Sequence, residues 1–200
     1  RPPLVLRRDQ AYLGVMIDDL VTKDITEPYR LFTSRAEFRL RLRQDNAWRR
    51  LAPLAHDLGL LPPEKYAPLA RAEEQLEDAL KMLQQTSGSG GKLWDLLQRG
   101  AVTVDDIDEL KGLPADLRRQ LATDAHYAGY VKQEDARAAK LQHLESWTIP
   151  AAFDYDLPGI STEARQKLSR LRPDTLAQAA RIDGVTPAHI GLLQVHLRKS

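Results

Sequence analysis

Arginine is concentrated in one short stretch of the chain, where aromatic residues are interleaved with it. Between residues 30 and 50 there are seven arginines, two acids (Glu37 and Asp45) and no lysine. A planar guanidinium donates paired hydrogen bonds to phosphate and stacks on bases, whereas lysine offers a point charge. The stretch therefore favours a nucleic-acid-binding surface. The candidate RNA-binding residues are Arg30, Arg35, Arg39, Arg41, Arg43, Arg49 and Arg50, and the interleaved aromatic residues are Tyr29, Phe32, Phe38 and Trp48.

These arginines have a second interpretation, which the sequence leaves open. Each guanidinium could instead pair with an acid elsewhere in the chain, or cover the core with its aliphatic stem. A module that serves only folding, dimerisation or protein contacts, with no direct RNA contact, would have the same composition. If the arginines do bind RNA, the affinity must fall steeply as the salt concentration rises.

Other clusters resemble chemical sites, but none is complete. The acids at residues 105–109 lack the glycine and the distal glutamate of a calcium loop, and they suit the start of a helix. His189 and His196 are seven residues apart, without HExxH spacing. The glycines at residues 88–91 match neither GxGxxG nor GxxxxGK[ST] and indicate a flexible link. We therefore predict no metal site and no catalytic residue in this chain.

Composition excludes several classes of protein. The 200 residues contain 29 basic and 28 acidic side chains, so any electrostatic function must be local. No cysteine occurs, which excludes disulfides, thiolate metal sites and a cysteine nucleophile within this sequence. No apolar run approaches the roughly 18 residues that span a bilayer. We predict a cytoplasmic protein without membrane contact, and, because the sequence opens at Arg1, a piece of a longer one.

The pattern of elements predicts a mainly α fold, with a long amphipathic helix, a terminal three-helix bundle and minor β structure at the N-terminus. β-Branched and aromatic residues at 10–24 indicate a short strand followed by a loop from Thr22 to Pro28. Residues 29–50 are rich in helix formers, although the alternation of arginine with apolar residues at 39–43 suits a strand equally well. The predicted organisation is a remnant of a preceding domain with a linker (1–28), an arginine-rich helical segment (29–85), a flexible link (86–91), a helical segment with the long helix (92–158) and the terminal bundle (159–200).

Capping and breaking residues define the later helices. We expect helices at 64–85, 93–98 and 115–146, and a short helix that begins at Thr103 and ends at Lys111. The terminal bundle should contain three helices. Their predicted N-caps are Ser161, Asp174 and Thr186, the last followed by a first-turn proline.

Three segments in order resemble one known family. The sequence YLGVMIDDLVTKDITEPYRLFTSRAEFRLRLRQDNA at 12–47 is similar to a signature of the MnmG (GidA) proteins, FAD-dependent enzymes that modify tRNA uridine. HYAGYV at 126–131 resembles the central segment of that family. FDYDLPGIS at 153–161, with the sequence that follows it, resembles the family's C-terminal end. Phe38 departs from the family pattern, which has tyrosine there.

The resemblance implies a C-terminal helical portion of a longer flavoprotein that is not catalytic by itself. FAD and NADH would be bound by the part that precedes it, and no cofactor is expected in this chain. The family's whole protein is a homodimer that works with the GTPase MnmE on the wobble uridine of tRNA. Its C-terminal region is associated with tRNA contact and partner docking. The partner-binding residues implied by this resemblance and by the basic C-terminal sequence are Arg165, Lys167, Arg170, Arg172, Arg181, Leu192, Leu193 and Val195.

Overall fold

The computed structural model describes residues 4–23, 25 and 28–198. The predicted loop falls partly on Asp24, Thr26 and Glu27, and the basic C-terminus includes Lys199; these four lie outside the described residues. The described chain is mainly helical, which confirms the predicted fold class. Its helices are α1 (Tyr12–Thr22), α2 (Ala47–Asp57), α3 (Pro63–Gln85), α4 (Leu93–Gln98), α5 (Ala115–Glu145), α6 (Thr162–Leu171), α7 (Leu176–Ala180) and α8 (Pro187–Leu197).

Helix α1 occupies the segment for which a strand was predicted, so the prediction of β structure near the N-terminus is wrong. Ala11, Val15 and Asp19 are buried, and their spacing of four places them on one helical face. Gly14 lies on the same side. A Cβ at this position would stand 2.4 Å from the carbonyl oxygen of Arg7. Burial of this face outweighs the strand preference of the β-branched residues.

The segment at 39–43 is neither a helix nor a strand, so both alternatives are wrong. It forms turns, in which the backbone N–H of Leu42 donates to the carbonyl of Phe38 at 2.8 Å. The carboxylate of Glu134 accepts from the backbone N–H groups of Leu40 and Arg41, at 3.3 and 2.8 Å. A side chain thus satisfies the donors that a neighbouring strand would have satisfied. Helix α2 begins only at Ala47.

The chain divides into two compact units, residues 1–37 with 135–200, and residues 38–134. In the 38–134 unit, Leu76 and Leu83 of α3 are fully buried and pack in one core with Leu110, Leu117 and Leu121. The core of the other unit is built from the terminal helices and the loop before them. Its buried members include Tyr155, Leu168, Leu176, Ile190 and Leu193.

The glycine-rich segment predicted to be a flexible link forms a β-hairpin inside the 38–134 unit. Strand β1 (Ser87–Gly88) pairs antiparallel with β2 (Gly91–Lys92). Gly90 and Gly91 have positive φ angles of 106° and 140°, which a side chain would disfavour. This hairpin is the only strand pair in the part of the chain that the structure describes.

The caps of the terminal helices are mostly those predicted. The hydroxyls of Ser161 and Thr186 accept from backbone N–H groups at the starts of α6 and α8. The cap of α7 is Thr175 and not Asp174. The carbonyl of Asp174 accepts a hydrogen bond from the backbone N–H of Ile149, and the helix therefore starts one residue later than predicted.

The predicted helix from Thr103 to Lys111 is also corrected. Only Asp108–Leu110 is helical, as one 3₁₀ turn. The carboxylate of Asp106 accepts from both the backbone N–H and the hydroxyl of Thr103, at 2.8 and 2.7 Å. Thr103 is thereby held in a local turn and does not cap a helix.

Candidate nucleic-acid interface

Two of the predicted RNA-binding arginines stack on aromatic rings within residues 29–35, the half-buried Tyr29 and the exposed Phe32. The guanidinium carbon of Arg35 lies 5.3 Å from the ring centroid of Tyr29 and 5.9 Å from that of Phe32. The guanidinium carbon of Arg30 lies 5.6 Å from the centroid of Phe32. Arg30 is exposed, and Phe32 is 46% exposed. We call Tyr29, Arg30, Phe32 and Arg35 the guanidinium–aromatic surface.

A buried arginine that the sequence analysis missed holds this surface in place. Arg8 is 2% exposed, and its Nη2 donates to the carbonyl oxygen of Arg35 at 2.8 Å. Its Nη1 donates to Asp19 at 2.7 Å, and its Nε and Nη2 contact the carboxylate of Glu37 at 3.0 and 2.9 Å. The adjacent acids Asp18 and Asp19 indicate that a basic partner is needed, but no local sequence pattern identifies Arg8 as that partner.

Asp19 is the common acceptor of this network. Its side chain is fully buried and accepts from Arg8, from the ammonium of Lys23 at 3.1 Å and from the hydroxyl of Tyr29 at 3.0 Å. Nη1 of Arg35 also lies 3.6 Å from its second oxygen, as a longer ion pair. Burial alone would raise the pKa of Asp19. The hydrogen bonds and charges of Arg8 and Lys23 outweigh that effect and lower the pKa below its ordinary value. Asp19 is therefore ionised, and its hydrogen bond with the hydroxyl of Tyr29 fixes the position of that ring.

Two other predicted RNA-binding arginines are held by carboxylates of the 38–134 unit. Arg43 pairs with Asp45 at 3.0 Å and with Asp124 at 2.6 Å, and its guanidinium lies over the ring of Tyr127. Arg49 pairs with Glu73 at 2.5 Å and with the second oxygen of Asp124 at 2.7 Å. For Arg43 and Arg49, the structure thus agrees with the second interpretation of the sequence, in which the arginines pair with acids elsewhere in the chain.

The remaining predicted RNA-binding residues have different surroundings. Arg39 is exposed and Arg41 is half-buried. The guanidinium of Arg50 donates to the side-chain oxygen of Asn46 and to the carbonyl of Arg43, at 3.0 and 3.1 Å. Among the predicted RNA-binding arginines, all within the described residues, Arg30 and Arg35 are the two that lie over the exposed ring of Phe32.

The basic residues of the terminal helices are tied mainly to their own loops. Arg165 pairs with Asp156, and Lys167 with Glu163 and the carbonyl of Asp183. Arg172 donates to the carbonyls of Ala151 and Phe153 and lies over Tyr155; Arg170 is exposed. Arg181 is largely buried and pairs with Asp18 at 2.6 Å.

The apolar candidates on α8 do not share one surface. Val195 is 50% exposed and Leu192 is half-buried, next to Gly159. Leu193 is completely buried in the core, so its prediction as a partner-binding residue is wrong. Leu192 and Leu193 cannot be equally exposed on one helix, because successive side chains are rotated by about 100° around the helix axis.

The other candidate clusters have structural roles in the described residues. His189 completes the capping box of α8 through its backbone N–H and ring nitrogen. Asp105 pairs with Arg118, and Asp108 with Lys111. Within the described residues, no group of three or more histidines and acids is placed to hold a metal ion, and no helix has both the length and the apolarity to cross a bilayer.

The described residues do not fit a flavin dinucleotide. A dinucleotide fold needs a glycine-rich turn between a strand and a helix, with backbone N–H groups open to the pyrophosphate. The glycines here form the tight β1–β2 hairpin, and a Cβ at Gly88 would lie 2.9 Å from a side-chain carbon of Leu93. The space beside this turn is thus filled by leucine side chains.

Two family models match most of the chain. Residues 63–135 match the description "tRNA modifying enzyme MnmG/GidA C-terminal helical domain", and residues 137–200 match "tRNA modifying enzyme MnmG/GidA C-terminal helical bundle". The chain is 43% identical to the tRNA uridine 5-carboxymethylaminomethyl modification enzyme MnmG of Lactobacillus delbrueckii subsp. bulgaricus, and 40% identical to that of Syntrophotalea carbinolica. The matches cover 99% and 100% of this chain but only 35% and 36% of those proteins.

A solved structure is similar over nearly the same extent. The form II crystal of Aquifex aeolicus GidA matches with a TM-score of 0.80 and 41% identity, over 98% of this chain and 34% of that one. The chain thus spans about a third of the length of the relatives that it matches.

Proposed function

Because the chain belongs to the MnmG/GidA family of tRNA-modifying enzymes, as its C-terminal helical part, we propose that it holds tRNA for a tRNA uridine 5-carboxymethylaminomethyl modification enzyme. The reaction would take place on the wobble uridine. In this proposal the described chain binds and positions the substrate, and the remainder of the longer protein supplies FAD, NADH and the reacting groups. We also propose that the longer protein is a homodimer and acts in the cytoplasm.

The guanidinium–aromatic surface is the observation that carries this proposal. Arg30 is exposed, and Phe32 presents nearly half of its side-chain surface to solvent. A ring of this kind stacks on unpaired bases, while an adjacent guanidinium bonds to phosphate. The buried network of Arg8 and Asp19 fixes the backbone and ring positions before RNA arrives, which lowers the entropic cost of binding.

Four of the seven arginines fall into two groups in this proposal. Arg30 and Arg35 contact RNA; within the described residues, the ion pair of Arg35 with Asp19 is 3.6 Å long and leaves its other donors to a phosphate. Arg43 and Arg49 have a structural role, because carboxylates at 2.5–3.0 Å already occupy their donors. A phosphate would have to displace those carboxylates, so we expect little contribution from these two residues to RNA affinity.

Fluorescence anisotropy of labelled tRNA over a series of KCl concentrations tests the proposal. Arg30→Ala should reduce the slope of log affinity against log salt by about 0.7–0.9, the value for one lost phosphate contact. Phe32→Ala should weaken binding by about 1–3 kcal/mol without changing that slope, because stacking releases no counterion.

Arg71→Ala is the matched control. Arg71 is an exposed arginine of α3, so the variant has the same charge change away from the proposed surface. If Arg30→Ala and Phe32→Ala bind tRNA like the parent at every salt concentration, the RNA-binding proposal is wrong. The chain would then be a structural or dimerisation module.

For the partner we propose the GTPase MnmE, docked on the outer face of the terminal helices. The exposed side chain of Val195 supplies the apolar contact, and Arg170, with the ion-paired Arg165 and Lys167, supplies basic groups from α6. Val195→Asp should abolish co-elution with the GTPase in size-exclusion chromatography, because a buried unpaired carboxylate is costly. Leu60→Asp, at a more exposed apolar position in the other unit (74% against 50% for Val195), is the control and should co-elute normally.

A further inference from the structure

The 38–134 unit contains a groove between α2 and α3 that the tRNA proposal does not use. The groove has a cavity of about 240 Å³. Its apolar lining comes from Trp48 and Pro53 of α2 and from Tyr66 and Leu69 of α3. At one end the ring of Tyr66 stacks on His56, with centroids 4.3 Å apart and planes 14° from parallel. The floor is therefore preformed and partly aromatic.

The groove lies beside the core face of α3, and Trp48 of its lining also packs against the core. Leu76 and Leu83 point into the core and are fully buried. Tyr66, Ala70, Glu73 and Glu77 follow each other at spacings of four, three and four, which places them along one line on the helix.

Carboxylates dominate the rim of the groove. Glu73 is paired with Arg49. Glu74 and Glu77 are exposed and also line the groove, and the ammonium of Lys81 lies 3.8 Å from Glu77, so the lining holds three carboxylates and the one guanidinium of Arg49. The rim therefore carries an excess of negative charge above an apolar floor.

An apolar floor below an acidic rim determines which kind of ligand the groove can bind. Phosphate oxygens would face like charges, which disfavours RNA. A lysine or arginine side chain has the complementary form, because its stem is apolar and its head is cationic. The stem can pack on Leu69 and Pro53, and the head can reach the carboxylates and the aromatic faces.

We propose that this groove binds a lysine or arginine side chain from a basic segment of a partner protein. The groove residues all belong to the 38–134 unit, whereas the guanidinium–aromatic surface belongs to the other unit. The two sites are therefore testable separately.

A 12-residue peptide with the repeat Leu-Lys-Lys-Leu serves as the probe, titrated into the full chain and followed by isothermal calorimetry. Glu74→Gln with Glu77→Gln should weaken binding roughly fivefold, since each lost pair at an exposed rim is modest. Glu64→Gln with Glu109→Gln is the matched control: both acids are exposed, lie in the same unit and are absent from the groove. This control should bind like the parent.

A second variant fills the groove from within. Ala70→Arg places a guanidinium one helical turn before Glu73 and Glu74, and should weaken peptide binding more than tenfold. Its thermal unfolding midpoint verifies folding. Anisotropy with tRNA should be the same for all these variants as for the parent, so the outcome does not depend on the tRNA proposal.

Three results would overturn the inference. One is equal peptide affinity for the parent, the glutamine double variant and Ala70→Arg. Another is tighter binding of a Leu-Glu-Glu-Leu peptide than of the lysine peptide. The third is concentration-dependent dimerisation of the parent that Ala70→Arg abolishes, which would make a second copy of the chain the occupant.

Discussion

Nη1 of Arg8 lies 2.7 Å from a carboxylate oxygen of Asp19, and both side chains are almost completely removed from solvent. Desolvating two charges is costly, and their mutual attraction offsets the cost only when hydrogen bonds satisfy the remaining donors and acceptors. Here Glu37, Tyr29 and Lys23 complete the set. The pair therefore fixes α1 against the segment that carries the guanidinium–aromatic surface.

Asp19→Asn should strongly destabilise the chain. It leaves the buried guanidinium of Arg8 without its closest carboxylate, and breaking such a pair typically costs about 3–5 kcal/mol in the free energy of unfolding. Urea denaturation followed by circular dichroism measures the change. Glu109→Gln, at an exposed acid, is the control and should stay within about 0.5 kcal/mol of the parent.

The same substitution should matter less in acid. Folding lowers the pKa of Asp19, so the stabilisation is complete above the unfolded-state pKa of about 3.9 and is lost as pH falls through the folded-state pKa. The difference in unfolding free energy between the parent and Asp19→Asn should therefore narrow below about pH 4. Urea titrations at pH 7, 5 and 3 test this. A difference that stays constant over that range would mean that the charge of Asp19 contributes nothing.

Two helical glycines should respond oppositely to alanine. At Gly14 the added Cβ would meet backbone oxygens of Arg7 and Leu6 at 2.4 and 2.5 Å, and a backbone cannot rotate away. We expect Gly14→Ala to cost about 1–3 kcal/mol, as overpacking does. Gly129 in α5 has nothing within 4 Å, so Gly129→Ala should stabilise by up to about 1 kcal/mol. Thermal unfolding of both variants gives the sign of each change in stability. If both substitutions change stability in the same direction, the close approach at Gly14 is contradicted.

The cap of α7 offers a direct comparison between sequence and structure. The hydroxyl of Thr175 accepts from the backbone N–H of Gln178 at 3.2 Å. Thr175→Ala should lower the free energy of unfolding by about 1 kcal/mol, and Asp174→Ala should have a smaller effect. If Asp174→Ala proves the more damaging, the cap is the residue predicted from sequence.

The sequence predicts well those helices whose limits are set locally. Helix α4 has its predicted bounds, Leu93–Gln98, with Gly91 before it and Gly100 after it. Helix α5 extends over the proline-free segment, to within one residue of the predicted end. Helix α1 was missed because a buried acid, Asp19, belongs to its inner face. Pairing with Arg8, together with the bonds from Lys23 and Tyr29, compensates for that burial.

The candidate site is less predictable for the same reason. Composition located the arginines but could not assign their partners. Asp124 binds Arg43 across 81 positions of sequence and Arg49 across 75. No local pattern contains that pairing, which exists only when α5 has packed within the 38–134 unit. The stacking of Arg30 and Arg35 on neighbouring rings is local, since all four residues lie within 29–35, whereas the interleaved aromatic residues were interpreted only as a sign of nucleic-acid binding.

The carboxylates that pair with Arg43 and Arg49 neutralise part of the positive charge of the arginine-rich stretch. Cation-exchange retention and heparin affinity should therefore report fewer effective positive charges than a tally of arginines gives. Replacing Asp124 by a neutral residue would leave Arg43 with Asp45 and Arg49 with Glu73 but would remove the carboxylate that both arginines share, so the chain would gain nonspecific attraction for any polyanion.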